Sequence, residues 1–569
     1  MQVLPTRWVL PEHPLPPDTG GGNGGFPPIL RYLLHQRGIE GADQVERFLN
    51  PRLRDLSDPF LIPEMEQGVE RVFAAIDQGE EICIYGDYDV DGITSIALTR
   101  RILEAYGVKP RHFVPIRSTE GYGLNEASLK RCMSEGTKPG LLLAVDCGTA
   151  SCEEIAKLGS EGIDVVVIDH HEPGPGGRPD CCAFVNPKSP AATEDFSYLC
   201  AAGVAFKLAH AMLKRRPLED FDLRGLLELV ALATISDIVP LVGENRTLVR
   251  QGLRRLPGTL NPGLRALQEI AGLNGQATSM DVGFRLGPRI NAAGRMDKPE
   301  DAIKTLLTDC RRLAGDLAAR LELYNKERQQ FEMRIRGEAM EQLEAQNFDP
   351  AKDPVIVLGA RGWHPGVVGI VASRLMRRFH KPSFVIAIDD DGLGKGSGRS
   401  IPGVSLVAAI DECRDALDAG GGHEMAAGIS IREERLDEFR KRFAEFVLAR
   451  TTEEQRAPVL RLDAELSLDQ LNLPFLAGYE QLQPFGNSNP QPMFFMRGAH
   501  LARPPVHLRN AHLRLHLRQG LNEHEAVFFG GGERNLPDPP WDIAFNINRN
   551  TFRGRTSLQI IVQDIRSAE

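Results

Sequence analysis

The sequence predicts a parallel-sheet α/β lobe, a long helix joining it to a smaller α/β lobe, and a C-terminal all-β barrel. Three observations carry this prediction. Apolar strands alternate with helical patterns from residue 82 to about residue 240, as a parallel sheet requires. A stretch dense in Glu, Arg, Leu and Ala follows between Arg311 and Asn347, with leucines at helical spacing. From about Pro458 the pattern changes to short alternating strands.

The chain has 569 residues, which is more than one compact core holds, so three or four domains are expected. The Pro- and Gly-rich stretch from His13 to Pro28 is typical of a flexible surface segment. We expect five segments: an N-terminal flexible and helical segment at 1–50, the first lobe at 51–310, the connecting helix at 311–350, the second lobe at 351–455 and the barrel at 456–569.

Composition is that of an ordinary soluble protein, with 42% hydrophobic and 25% charged residues. Neither a long apolar run nor a secretory signal is evident, so we expect a cytoplasmic protein without membrane association. The nine cysteines lack paired CxxC spacing, which argues against a zinc ribbon and a disulfide framework. A net charge of −10 does not exclude a nucleic-acid partner, because bound cations offset carboxylates and local basic stripes matter more.

The first apolar strand, Ile82–Tyr85, is followed by three aspartates at alternate positions, Asp87, Asp89 and Asp91. A helical pattern from Ile93 to Tyr106 comes next. Crowded carboxylates repel one another unless a cation neutralises them, and oxygen-rich clusters suit hard ions such as Mg²⁺ or Mn²⁺. The alternative interpretation is a polar turn that joins a strand to a helix.

The same design recurs at two further apolar strands: Leu141–Val145 ends in Asp146, and Val165–Ile168 ends in Asp169, His170 and His171. Segment 226–235, ambiguous between helix and strand, delivers Asp237. Because ligands of open parallel sheets bind at the carboxyl ends of the strands, we expect these side chains to lie side by side. Two ions sharing a bridging carboxylate there suit phosphodiester hydrolysis.

In this order, the motifs Asp87–Gly92, Val145–Gly148, Asp169–His171 and Ser236–Asp237 resemble those of the DHH phosphoesterase superfamily. Within it they resemble the bacterial exonucleases specific for single-stranded DNA. The resemblance runs from about residue 30 onwards and continues through Glu120–Leu124, Pro288–Arg295, Gly396–Ser400, Gly421–Gly428 and Pro484–Pro490. One departure is a serine at position 488, where the family pattern has glycine, and a serine there is expected to affect the turn.

The resemblance implies a two-metal site for Mn²⁺ or Mg²⁺, built from Asp89, Asp91, Asp146, His170 and Asp237. Asp87 is a further candidate ligand, and His171 is a further catalytic candidate. Asp169 is expected to orient a histidine rather than bind metal, because ligating imidazoles need an acceptor for their other nitrogen. The allocation of ligands to the two ions stays open.

The resemblance also identifies the second lobe as a DHHA1 domain and the barrel as an OB-fold. Glycine-rich turns are usually only turns, but here they surround cations and are expected to let the backbone approach a phosphate. The residues expected to contact DNA are Ser397, Arg399 and His423 in these turns, and Arg117, Arg289 and Arg295 as phosphate clamps.

In the barrel, the apolar residues Leu513, Leu515 and Leu517 alternate with basic His512, Arg514, His516 and Arg518. Further aromatic and basic residues follow: Phe528, Phe529, Trp541, Phe545, Arg549, Arg553 and Arg555. Such a surface suits single-stranded nucleic acid, through phosphate contacts and base stacking. The alternative is that the aromatics form the core and the arginines a solvated face; the resemblance favours binding.

The function implied is a metal-dependent exonuclease that degrades single-stranded DNA from the 5′ end in repair and recombination. The resemblance implies a single-strand DNA-binding protein and a helicase as partners; the sequence leaves the oligomeric state open, and a monomer is the default expectation. One rival is a DHH enzyme acting on small substrates such as oligoribonucleotides, cyclic dinucleotides or pyrophosphate, against which the basic barrel argues. The other is a non-catalytic scaffold that has lost metal ligands, and here every motif carboxylate is present.

Overall fold

The computed structural model describes residues 6–12, 27–174, 176–508, 511–552 and 554–568. It divides into two compact units, with Leu56–Pro458 in one and Thr6–Asp55 with Val459–Glu569 in the other. The predicted flexible segment from His13 to Pro28 lies outside the described residues except for its last two positions, and so does Arg553. Within the described residues, no helix is long and apolar enough to span a membrane. All nine cysteines are free thiols, as predicted.

The first lobe is built on a five-stranded parallel sheet whose three central strands are those that the sequence predicts. The strand order is Arg111–Phe113, Ile82–Gly86, Leu141–Val145, Asp164–Ile168 and Ala183–Val185. Two central strands are buried at every position, as expected for parallel sheets. The edge strands have three residues each, too few to show a period, so the sequence did not predict them.

The helices of this lobe are Met65–Gln78, Val90–Ala105, Glu126–Ser134, Cys152–Ser160, Ala201–Arg215, Leu227–Ser236, Gly243–Arg255, Pro262–Ile270, Gly287–Arg295 and Pro299–Leu307, with short turns at Pro59–Leu61, Arg117–Glu120, Leu223–Leu226, Leu256–Gly258, Ser279–Asp281 and Val282–Leu286. The helix expected to begin at Ile93 begins at Val90. Asp89 caps it, because its Oδ1 accepts hydrogen bonds from the Asp91 and Gly92 backbone N–H groups at 2.8 and 3.1 Å.

The ambiguous segment 226–235 is a helix, Leu227–Ser236, and eight of its ten residues are buried. It packs against the helices Val90–Ala105 and Gly243–Arg255. A helix that is apolar on all sides lacks the 3.6-residue stripe that distinguishes a surface helix from a strand. Asp237 follows directly after its last turn.

Residues Arg311–Ala345 form a single helix of 35 residues. It packs against three helices of the first lobe, Pro262–Ile270, Gly287–Arg295 and Pro299–Leu307, and against Pro365–Phe379 of the second lobe. The predicted connection between two lobes is therefore confirmed.

The second lobe contains a five-stranded mixed sheet in the order Ala419–Gly422, Ala426–Arg432, Leu393–Arg399, Ser383–Ile388 and Ile356–Arg361. The last two strands run parallel, and the other neighbours are antiparallel. Its helices are Pro365–Phe379, Leu406–Glu412 and Leu436–Arg450, with short turns at Arg414–Ala416 and Glu433–Arg435.

The three alternating glycines of the strand Leu393–Arg399 make room for neighbouring strands. A Cβ at any of them would lie 2.4–2.7 Å from the side chain of Ile386 or Phe384. These contacts pack the strands closely together, and the approach of a phosphate to the glycine-rich backbone stays a prediction, with Gly396 and Gly422 in the lining of the cavity described below. Because side chains alternate along a strand, the same spacing puts three polar residues on the opposite face: Lys395, Ser397 and Arg399.

The second unit contains a closed five-stranded barrel, in the order Phe494–Leu508, His512–Gln519, Asn522–Phe528, Arg555–Ser567 and Trp541–Phe552. The first and last of these strands pair and close the barrel, and Ala464–Glu465 adds to the first strand. The alternating leucines of His512–Gln519 are buried, while the intervening basic residues are at least partly exposed, as predicted.

N-terminal helices belong to this second unit. Pro28–His35 and Ala42–Leu49 contribute apolar side chains to the same core as the barrel and the helix Leu473–Glu480. The strand Arg7–Val9 pairs in parallel with Val459–Arg461. Short turns lie at Leu53–Asp55, Leu468–Gln470 and Gly531–Glu533.

Most of the barrel aromatics belong to its core. Phe528, Trp541 and Phe545 are at most 2% exposed, so the expectation that they stack on bases is wrong. Phe529 is 60% exposed and is accessible to a base. Arg549 forms an ion pair with Glu480.

Ser488 adopts a left-handed backbone conformation, with φ of 59°. The side-chain amide of the next residue, Asn489, donates hydrogen bonds to the carbonyl oxygens of Leu482 and Pro484 at 2.9 and 2.7 Å. The turn thus has a conformation that glycine adopts freely and serine adopts at a cost.

Candidate metal centre and anion cavity

Each of the three central strands of the first sheet is followed by an aspartate at the same sheet edge: Asp87, Asp146 and Asp169. Two groups of ligand atoms each lie within 4.8 Å of one another: Asp87, Asp89 and Asp146 in one, and Asp91, His170 and Asp237 in the other. A third such group joins Asp146 and His170 with Asp169 and His171. The structure thus brings together all six predicted metal-binding residues. All of them belong to one compact unit.

The imidazole of His170 lies between three carboxylates. Its Nε2 is 3.5 Å from Asp146 Oδ1, 3.6 Å from Asp237 Oδ2 and 3.7 Å from Asp91 Oδ2. These separations are long for hydrogen bonds. Two atoms that each bind Mg²⁺ at about 2.1 Å lie at most about 4.2 Å apart, so the separations fit ligands of a shared ion. Asp146 approaches both groups, which is the position of a bridging ligand.

Asp87 supplies a second indication of a cation. The residue is 3% exposed, and its Oδ1 has no hydrogen-bond partner in the described part of the chain. A buried carboxylate oxygen without a partner is costly unless a cation meets it. A set of carboxylates with one imidazole suits Mn²⁺ or Mg²⁺.

Without a cation, these carboxylates resist ionisation. Burial, with repulsion from Asp89, raises the pKa of Asp91 to about 7. Burial, with repulsion from Asp91, raises the pKa of Asp237 to about 8. The pKa values of Asp87 and Asp146 are also raised, first by burial and then by neighbouring carboxylates. A divalent cation favours the ionised forms, so the electrostatics of the site fit a metal.

Two helix amino termini hold the metal-binding aspartates. Asp89 caps the helix Val90–Ala105 with Oδ1, and its Oδ2 makes no hydrogen bond within the described residues. The Asp91 carboxylate accepts hydrogen bonds from the N–H groups of Ala201 and Ala202 at 2.7 and 2.8 Å. These groups begin another helix, whose dipole favours a negative charge at this end.

Asp169 orients the second histidine of the motif. Its Oδ1 lies 2.7 Å from His171 Nδ1, and its Oδ2 accepts a 3.1 Å hydrogen bond from Thr149 N–H. His171 Nε2 lies 3.0 Å from the hydroxyl of Tyr122. Burial lowers the pKa of His171, but the bond to Asp169 outweighs burial, and the pKa is raised to about 9. Tyr122 was not among the predicted site residues, although it lies in Glu120–Leu124, one of the segments that carry the family resemblance.

A cavity of about 410 Å³ in the same unit is lined by cations. Four predicted DNA-contacting residues line it: Arg117, Arg295, Ser397 and Arg399. Lys395 and His364 also line it and were not in the predicted set. Burial, with repulsion from neighbouring arginines, lowers the pKa of Arg295 to about 9. Crowded cations that are partly withdrawn from solvent favour an anion among them, and phosphate suits arginine geometry.

Two of the lining residues, Asp297 and His364, accept hydrogen bonds from backbone N–H groups. The carboxylate Asp297 is part of the lining and accepts a hydrogen bond from Ser118 N–H at 3.1 Å. His364 caps the helix Pro365–Phe379, because its Nδ1 accepts a hydrogen bond from Gly366 N–H at 3.1 Å. The sequence His-Pro-Gly before a helical pattern was a signal for such a cap.

The other two predicted DNA-contacting residues are not in the lining of the cavity. Arg289 Nε lies 2.8 Å from Glu322 Oε2 of the connecting helix, and Arg289 Nη1 donates to the carbonyl of Arg285. Six positions separate this arginine from Arg295, which places them on different faces of one helix. His423 is exposed, and its neighbour Gly422 lines the cavity.

Three family models match the chain: the DHH family N-terminal domain at 81–234, the DHHA1 domain at 352–449 and the RecJ OB domain at 462–564. The single-stranded-DNA-specific exonuclease RecJ of Bacillus subtilis is 37% identical over 95% of this chain and 68% of that protein. The RecJ of Dickeya dadantii is 35% identical over 95% of this chain and 96% of that protein. The chain belongs to the RecJ family.

Solved RecJ structures agree with this assignment. RecJ of Thermus thermophilus in complex with Mn²⁺ matches with a TM-score of 0.82 and 30% identity, over 99% of this chain and 80% of that chain. A RecJ bound to manganese matches with a TM-score of 0.59 and 36% identity, over 70% of this chain and 97% of that chain. The Thermus protein is also known in complex with Mg²⁺. The predicted fold class, with DHH, DHHA1 and OB-fold parts, is confirmed.

Proposed function

We propose that this protein is a Mn²⁺- or Mg²⁺-dependent exonuclease that hydrolyses single-stranded DNA from the 5′ end. The observation that carries the proposal is the pair of ligand groups that meet at Asp146. Their chemistry requires cations, and two adjacent divalent ions are a recurring device for phosphodiester hydrolysis. Membership of the RecJ family supports the substrate class.

Within the metal centre, the residues that would hold the ions are Asp87, Asp89, Asp91, Asp146, His170 and Asp237. Bound there, the two ions supply an activated water and stabilise charge on the leaving oxygen. His171 is 36% exposed at its side chain and stands beside this centre, held by Asp169 and the Tyr122 hydroxyl. We propose that His171 contacts the reacting phosphate.

The cation-lined cavity binds the sugar–phosphate backbone. Arg117, Arg295 and Arg399 supply charge, and Ser397 and Lys395 lie on the same strand face as Arg399. His423 contributes at the rim, next to Gly422. Arg289 does not belong to this set, because its guanidinium pairs with Glu322.

The predicted domain limits stay as proposals: 1–50, 51–310, 311–350, 351–455 and 456–569. The DHH match lies inside 51–310, the DHHA1 match inside 351–455 and the RecJ OB match inside 456–569. We propose further that the protein acts as a cytoplasmic monomer in DNA repair and recombination, together with a single-strand DNA-binding protein and a helicase. Family membership is the support for these roles.

The test is digestion of single-stranded DNA labelled at either end, with Mn²⁺ or Mg²⁺, by the full chain and by Asp89→Ala. Short products released early from the 5′-labelled strand, absent with the variant and on blunt duplex, are expected. Asp309→Ala, which removes an exposed aspartate that pairs with Arg101, is the control and should keep the wild-type rate.

Other outcomes separate the rivals. Cleavage confined to dinucleotides would assign the protein to the small-substrate DHH enzymes. A folded protein without activity in either metal would support a scaffold. Products released first from the 3′-labelled strand would overturn the proposed polarity alone.

A further inference from the structure

One face of the helix Gly287–Arg295 approaches two of the chain segments that carry the metal-binding aspartates. Gly287, Asn291 and Gly294 have i, i+4, i+7 spacing and therefore share this face. A Cβ on Gly287 would lie 2.7 Å from the hydroxyl of Ser236, the residue before Asp237. The first contact of this face is thus with the segment that ends in Asp237.

The other two residues of the face contact the acidic loop 87–89 and the first residue of the helix that follows it. A Cβ on Gly294 would lie 2.5 Å from the carbonyl oxygen of Tyr88, which sits between two of the aspartates. Any larger residue must push the helix and the loop apart. Asn291 Oδ1 accepts a hydrogen bond of 3.2 Å from Val90 N–H.

The hydrogen bond from Val90 protects a metal ligand. The next three N–H groups of that helix all bond to Asp89, two to its Oδ1 and one to its carbonyl oxygen. Asn291 satisfies the remaining group at this helix end, which otherwise needs an acceptor. Without Asn291, the Val90 N–H group would need another acceptor, and it adjoins Asp89, whose carboxylate oxygen Oδ2 is available to a cation.

The same helix is fixed at its far end. Arg295 Nη1 donates a 2.7 Å hydrogen bond to the carbonyl of Gly366, and a Cβ on Gly366 would lie 2.7 Å from the carbonyl oxygen of Arg295. The helix therefore makes close contacts at both ends and provides a stiff support for the loop beside it.

We propose that Gly287, Asn291 and Gly294 are positioning residues that set the separation between the acidic loop and Asp237, and so set metal affinity. The proposal rests on the metal centre proposed above. These three residues do not bind the metal; they position the residues that do. If the helix only packed against the core, a substitution in it would lower the stability of the protein, but the molecules that stay folded would bind metal with wild-type affinity.

The experiment is a titration of the full-length protein with Mn²⁺, without DNA, followed by electron paramagnetic resonance of the free ion. Asn291→Ala is expected to weaken Mn²⁺ binding by about 10-fold to 100-fold, the usual cost of removing a group that orients ligands. Asn291→Asp keeps an acceptor for Val90 N–H and should bind Mn²⁺ at least as tightly as the wild type. Gly294→Ala is the second variant and should weaken binding by a similar factor.

Arg289→Ala is the matched control on the same helix. It removes the ion pair with Glu322 on another face, so it should lower the melting temperature and leave Mn²⁺ affinity within about twofold. Wild-type affinity in folded Asn291→Ala, or equal weakening by the Ala and Asp variants, overturns the positioning role while leaving the metal centre intact. Failure of the wild type to bind Mn²⁺ overturns both the metal centre and this proposal.

Discussion

His171 Nδ1 lies 2.7 Å from Asp169 Oδ1, and the carboxylate is only 1% exposed. The same carboxylate accepts hydrogen bonds from the backbone N–H groups of His170 and Thr149. The pKa of Asp169 is lowered, because these bonds and the adjacent histidines outweigh the effect of burial. One buried charge therefore fixes both the turn and the second imidazole.

Asp169→Asn is expected to lower kcat by about 10-fold to 100-fold, because the imidazole of His171 loses its charged acceptor. Initial rates on single-stranded DNA at saturating Mn²⁺ measure the effect. Asp180→Asn, at an exposed position of the same lobe, is the control and should retain the wild-type rate. An unchanged rate for Asp169→Asn would show that the orientation of His171 does not matter.

Metal binding should stabilise the protein more at alkaline than at acidic pH. In the metal-free protein the pKa values of Asp91 and Asp237 are raised to about 7 and about 8, above those of the unfolded chain. Their stabilising contribution is present at low pH and is lost as pH rises through these values. A bound cation offsets this loss of stability, because it pairs with the ionised carboxylates of Asp91 and Asp237.

The rise in melting temperature on adding Mn²⁺ should therefore grow between about pH 6 and about pH 9. Paired thermal melts with chelator and with excess Mn²⁺ measure it. Asp237→Asn should reduce the increment at the alkaline end. Equal increments across the range in the wild type would contradict the raised pKa values.

Arg399→Ala should weaken binding of single-stranded DNA by about tenfold and reduce the slope of log K against log salt by about 1. The reason is the loss of one half-buried cation from the cavity. Fluorescence anisotropy in Ca²⁺, at several salt concentrations, gives both quantities. Arg361→Ala removes a more exposed arginine of the same lobe, paired with Glu433, and should change neither. A wild-type salt slope for Arg399→Ala would remove this residue from the DNA path.

Phe528 and Phe529 are neighbours with opposite exposures, 1% and 60%. Phe529→Ala should weaken DNA binding by about 1 kcal/mol or more, the value of one base stacked on an aromatic ring, with little change in stability. Phe528→Ala should instead destabilise the barrel by about 3–5 kcal/mol. DNA affinity and thermal melts of both variants test the contrast. If Phe529→Ala binds DNA with wild-type affinity, the exposed ring of Phe529 does not contribute to DNA binding.

Ser488→Gly should stabilise the second unit by about 0.5–1 kcal/mol. Relief of the left-handed strain, about 1–2 kcal/mol, exceeds the extra chain entropy of glycine. Chemical denaturation followed by the fluorescence of the barrel tryptophan Trp541 measures the change. Ser488→Ala keeps the strained φ and should bring no gain, so equal stability of the two variants would refute the explanation.

Much of the fold was predictable from local pattern. The strands Ile82–Gly86 and Leu141–Val145 were recognisable because short apolar runs end abruptly in aspartates. The strand Ala183–Val185 and the helix Leu227–Ser236 were not, since three residues show no period and a fully buried helix shows no polar face. The N-terminal helices carried no sequence signal of the core to which they belong.

The metal-dependent chemistry was predictable from the sequence, because the aspartates and histidines of the site follow one another in a recognisable order along the chain. Which of several chemically equivalent residues share a site was clear only from the folded structure. Arg289 and Arg295 are alike in sequence, yet one pairs with Glu322 and the other lines the anion cavity. Phe528 and Phe529 are likewise separated only by the inward and outward alternation of a strand end. The physical reason is that pairing and burial depend on contacts between residues distant in sequence, such as Asn291 and Val90, which no local pattern encodes.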